Sequence, residues 1–97
     1  MSGRSDGPVH ERDAAIINEK GLHARAAKEF VDLARTFQAR ITVAKGRQVV
    51  DAKDIWDVMT LAAEQGTLLR LRARGPDAAA ALDALAALAA VRFHEDA

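Results

Sequence analysis

The sequence predicts an α+β fold: a four-stranded, mostly antiparallel sheet with three helices on one face, in the order β-α-β-β-α-β-α. Three observations predict it. Apolar spacing changes from strand-like to three- and four-residue steps just after His23. Thr67 to Arg74 alternates, with Leu69, Leu71 and Ala73 on one side and Arg70, Arg72 and Arg74 on the other, as in a sheet with one buried and one wet face. Each helical stretch carries its own apolar stripe, and a single covered sheet face satisfies all of them.

Met1 to His10 contains Ser, Gly, Asp and Pro8 without periodicity and reads as a disordered tail, ahead of one domain over 11–97. Glu11 to Ile17 becomes apolar toward its end and is the first strand; Asn18-Glu19-Lys20-Gly21 is turn chemistry. Ala27, Phe30, Val31, Ala34 and Phe37, widened by Leu33, make the stripe of the first helix. Arg40 to Ala44 and Gln48 to Val50 flank Lys45-Gly46-Arg47 as a β-hairpin. Asp54 caps a shorter helix with a stripe of Ile55, Val58, Met59 and Ala62, which Gln65-Gly66 ends. After the alternating strand, Gly75-Pro76-Asp77 punctuates the chain, Pro being suited to a first helical turn. Ala78 to Val91 is an alanine-rich third helix with Leu82, Leu85 and Ala89 as its contact line, and Phe93 to Ala97 reads as a fraying acidic end.

Composition excludes several functions. The 14 Lys and Arg balance 14 Asp and Glu, which argues against a nucleic-acid module. With no cysteine, disulfides and thiolate zinc sites are ruled out. No apolar run is long enough to span a membrane and no signal-peptide core is present, so a soluble cytoplasmic protein is expected. The three histidines lack metal-ligand spacing, and no Walker, dinucleotide-binding or nucleophile-elbow motif occurs. Neither a metal nor a cofactor is expected.

The residues with the clearest chemistry lie in Gly21-Leu22-His23-Ala24-Arg25-Ala26-Ala27. A helix start presents free backbone N–H groups and the positive end of the dipole, where an anion is welcome. His23 sits there, and the same field disfavours its imidazolium form, keeping a nucleophilic nitrogen available. A phosphoryl group on His23 would be held by the amides of Ala24, Arg25 and Ala26 and by the Arg25 guanidinium, whose planar fork suits phosphate oxygens. This assignment requires a ring outside the core whose nitrogens are not tied up by other side chains. Otherwise His23 is one more structural histidine. Trp56 falls off the stripe of its helix and either covers the helix edge or docks a partner, with Ile55 beside it. The Arg70/Arg72/Arg74 row reads as a solvated sheet face, and His10 and His94 as tail residues.

These residues resemble the HPr family of histidine-phosphorylatable carriers of the bacterial phosphotransferase system. The similarity runs from about Ala14 to Val91, with G-L-H-A-R-A-A like the family's active-site stretch and D-A-K-D-I-W-D-V-M-T-L like its second-helix region. The resemblance implies an open-faced β-sandwich and phosphorylation of His23 by a phosphoenolpyruvate-dependent Enzyme I. It also implies transfer to a downstream EIIA-type acceptor, assistance by Arg25, and a docking surface lined by Leu22, Ile55 and Trp56. Three departures stand out. Ala26 replaces the family's usual proline and adds an N–H donor in the first turn. Asp54 stands where members often carry a regulatory serine, which removes seryl phosphorylation there and leaves an N-cap. Asn18-Glu19-Lys20-Gly21 lacks the small polar residue common before the glycine, which together with Ala26 and the acidic ending looks like the nitrogen-related branch, NPr. The branch stays open. Two other classes are weighed against a carrier: a noncovalent regulatory module of the same fold, and a small-molecule-binding domain, for which so short a chain has little room.

Overall fold

The computed structural model describes residues 7–97. Strands β1 (His10–Ala15), β2 (Arg40–Lys45), β3 (Gln48–Asp51) and β4 (Leu68–Arg74) alternate with helices α1 (Ala24–Ala34), α2 (Ile55–Thr60) and α3 (Ala78–Ala90) in the expected order. The sheet order is β1-β4-β2-β3, with every pairing antiparallel.

Period-two alternation decides which face is buried. On β4, Leu69, Leu71 and Ala73 turn into the core, as do Ile41 and Val43 on β2. The stripes of α1 (Ala27, Phe30, Val31, Ala34) and α3 (Ala81, Leu82, Leu85, Ala89) meet them from one side. Alanine on α3 lets its backbone lie close to β1 and β4, which it packs against. The other face stays open, and two of its arginines, Arg70 and Arg72, are paired with carboxylates across strands. Glu11 and Asp13 of β1 lie opposite Arg72 and Arg70 and pair with them at 2.8 and 3.2 Å. Like-to-unlike register of this kind supports the sheet by a few tenths of a kcal/mol per pair, or ~1 kcal/mol at most.

Several expectations need correction. Residues 1–6 of the expected tail lie outside the described residues, while His10 opens β1 opposite Ala73. Helix α2 stops at Thr60, before Gln65-Gly66, because Ala62 takes a left-handed φ of 48° that a helix cannot continue through. Met59 is then largely outside the core and Ala62 is exposed. Pro76 precedes α3 instead of entering its first turn. Asp77, at the cap position, turns its carboxylate away to accept from the Gln38 and Ala39 amides, both at 2.8 Å. Those backbone bonds, the Gln38 one foremost, hold the Asp77 carboxyl below its ordinary range against an opposing effect of burial.

The largest departure is at the C-terminal end. Phe93 to Ala97 does not fray. Arg92, Phe93 and His94 form a left-handed turn (φ 55°, 52° and 63°) that drives Phe93 wholly into the core. The Ala97 carbonyl then accepts from the Glu19 amide at 2.8 Å, which lays the last residues along the turn before Gly21. Non-glycine residues resist this conformation at ~1–2 kcal/mol each. Burial of a whole phenylalanine side chain offsets part of that cost, at about 1.5–3 kcal/mol.

Candidate functional site

His23 is the N-cap residue of α1, with extended backbone (φ −73°, ψ 179°) and no side-chain cap bond. Its carbonyl receives the first helical hydrogen bond, from Ala27 N–H at 2.7 Å. The amides of Ala24, Arg25 and Ala26 therefore precede the helical ladder and have no partner within it. The loop carrying His23 is braced from behind, since Leu22 N–H donates to the Ala63 carbonyl at 2.8 Å, in the segment that follows α2.

The ring is partly exposed, so it lies outside the core. Its two nitrogens differ. Nε2 is hydrogen-bonded to the Glu95 carboxylate, and Nδ1 has no partner among the described residues. The condition that no side chain ties up the nitrogens is thus met at Nδ1 and not at Nε2. Arg25 is also engaged, not open as expected. Its Nη2 donates to Glu95 Oε2 at 2.5 Å and to the Phe93 carbonyl at 3.1 Å, and its Nη1 pairs with Glu29 one turn along. A carboxylate already holds the guanidinium where an anion was expected to land.

Glu95, in the segment the sequence predicts to fray, is the hub of the site. Burial pushes its carboxyl up, but hydrogen bonds from His23, Asn18 and Arg25 outweigh this and bring it down to about 2. Asn18, read as a turn residue, is fully buried. Its Nδ2 donates to the Gly21 carbonyl at 2.7 Å and to Glu95 Oε1 at 2.9 Å. Neither residue carried a local signal for this role, because the bond that joins them spans 77 residues and that between Glu95 and His23 spans 72. Glu95, Arg25 and Glu19 wall a cleft of about 380 Å³ with the final residues.

The remaining site candidates separate. Leu22, expected on a docking surface, is 6% exposed and belongs to the core, so it anchors the loop. Ile55 is partly buried against that core, while Trp56 beside it is 78% exposed. Trp56 therefore does not shield its helix edge. It stands out from α2, the helix packed beside α1. Asp54 caps α2, accepting from Asp57 N–H at 3.1 Å. His94 is exposed. No group of three metal-ligating side chains occurs among the described residues, and no helix among them is long and apolar enough to cross a membrane.

Comparison with known proteins gives concordant matches. Residues 10–90 match the family described as PTS HPr component phosphorylation site. The phosphocarrier protein HPr of Cupriavidus necator is 46% identical over 85 residues, covering 88% of this chain and 96% of the relative. The phosphocarrier protein NPr of Shewanella violacea is 40% identical, covering 88% and 93%. The crystal structure of HPr-C-His from Thermoanaerobacter tengcongensis superposes with a TM-score of 0.87 at 39% identity, covering 91% of this chain and 99% of that one.

Proposed function

Because the chain belongs to the HPr family and is a phosphocarrier of the phosphotransferase system, we propose that it carries the phosphoryl group on His23, at Nδ1. The observation behind this is the pairing of an unpartnered Nδ1 with a helix start whose first three amides lie outside the ladder. Phosphoryl transfer asks mainly for positioning and for stabilisation of charge on the equatorial oxygens. The amides of Ala24, Arg25 and Ala26 and the dipole behind them supply that at fixed positions. Arg25 supplies the mobile part. Once a dianion sits on the ring, the guanidinium exchanges Glu95 and Glu29 for phosphate oxygens.

The donor in this proposal is Enzyme I, charged from phosphoenolpyruvate, and the acceptor is a downstream EIIA-type protein, all meeting in the cytoplasm. Trp56 supplies the exposed aromatic contact for these partners and Ile55 its partly buried base. The test is incubation with phosphoenolpyruvate and a cognate Enzyme I. An acid-labile, base-stable adduct is expected on the native chain and not on His23→Ala. If the native chain takes up no phosphoryl group, it acts as a noncovalent module instead.

A further inference from the structure

The geometry points to Asn18 as a positioning residue for phosphoryl transfer, holding Glu95 in place and, through Glu95, the tautomer of His23; this rests on His23 being the acceptor.

Asn18 has no exposed surface, and both hydrogens of its amide are used, on the Gly21 carbonyl at 2.7 Å and on Glu95 Oε1 at 2.9 Å. Both partners are oxygens, so the nitrogen must face them and the orientation of the amide is fixed by chemistry. Its backbone carbonyl receives Gly21 N–H at 3.1 Å. One residue thus grips the loop that carries His23 and the carboxylate that touches its ring. The cost of this arrangement is visible. Asn18 Oδ1 is buried with no partner among the described residues, and a stranded acceptor costs ~1–3 kcal/mol. An apolar residue would fill the space without that penalty, so the position serves the two donors.

Glu95 is held at both oxygens: Oε1 by Asn18, and Oε2 by Arg25 while it meets His23. A carboxylate can only accept, so the ring nitrogen facing it must carry the proton. The neutral ring then has its lone pair on Nδ1. Attack forms the P–Nδ1 bond as the bond from phosphorus to the donor's leaving atom breaks, and the leaving atom keeps that electron pair. No proton leaves the ring. The product is a phosphorylated imidazolium whose Nε2–H faces Glu95, so the carboxylate opposes the positive charge as it develops. On onward transfer the P–Nδ1 pair returns to Nδ1 and the ring is neutral again.

The experiment reads the ring directly. Long-range proton–nitrogen NMR of unphosphorylated protein is expected to show His23 as the Nε2–H tautomer when neutral. In Asn18→Ala and Glu95→Gln the tautomers should mix, and phosphoryl uptake from Enzyme I should fall about tenfold, as for loss of an outer hydrogen-bond partner. If Asn18→Ala does not fold, Asn18→Ser serves, since one hydroxyl hydrogen can satisfy only one of the two acceptors. Its expected outcome is the same. An unchanged tautomer in the Asn18 variant, or an unchanged uptake rate, overturns the inference. Failure of the native protein to be phosphorylated at His23 overturns the acceptor assignment instead, whatever the tautomer.

Discussion

A side chain on Gly21 would bring its Cβ to 2.6 Å from the carbonyl oxygen of Ala63, the same oxygen that accepts from the Leu22 amide. With φ at +69°, the position is also one where other residues are strained. Gly21→Ala is therefore expected to destabilise the fold by about 2 kcal/mol or more, and to shift the loop that holds His23. Urea unfolding checks the first effect and phosphoryl uptake the second.

The Glu95 carboxyl, brought down to about 2, links folding to acid. A depressed folded-state value means that its contribution is fully present above its ordinary value near 4.5 and is lost as pH falls through about 2. The native chain should lose stability over that interval. Glu95→Gln should show a flatter profile there and converge with the native chain at the acid end. Unfolding midpoints measured across the interval decide it, and parallel profiles would remove Glu95 as the source.

Ala26 is the third residue of α1, within the first turn, where a proline removes only an amide that the helix does not use. If that amide holds phosphate, Ala26→Pro should hydrolyse its phosphohistidine faster, on the order of tenfold or more for one charge-assisted bond. Following release of inorganic phosphate from the purified phosphoprotein gives the answer. Equal lifetimes would mean that the extra donor is idle.

Trp56→Ala removes a side chain that is 78% exposed. Stability should stay within about 0.5 kcal/mol of the native chain. The KM for transfer from Enzyme I should rise, by roughly 30-fold if Trp56 contributes the ~2 kcal/mol of an interface anchor. A fall in stability with an unchanged KM would return Trp56 to a packing role.

Asp54→Ala should cost ~1 kcal/mol through loss of the bond to Asp57 N–H. Asp54→Asn keeps an acceptor, so stability and the rate of transfer from Enzyme I should both hold. Faster transfer in Asp54→Asn would show the charge itself restraining the donor.

The fold was legible where the pattern is local. Alternation along β4 set its two faces, and the α1 stripe named the residues that are buried. His23 was legible for the same reason, because a change of period marks a helix start. Asn18, Phe93 and Glu95 were not, since a lone buried amide has no period and an acidic end after an alanine-rich helix looks like solvent-exposed chain. Their roles come from contacts spanning 68 to 77 residues of sequence. The premature end of α2 was hidden too, as alanine gives no warning of a left-handed φ at Ala62.

The left-handed turn at Arg92–His94 means that chemistry and folding can fail at different temperatures. Local opening takes less free energy than unfolding the whole molecule, and relief of three left-handed residues lowers it further for this segment. Warming should loosen the last turn first and swing Glu95 away while the sheet persists. Heat inactivation should then run ahead of the melting curve seen by circular dichroism.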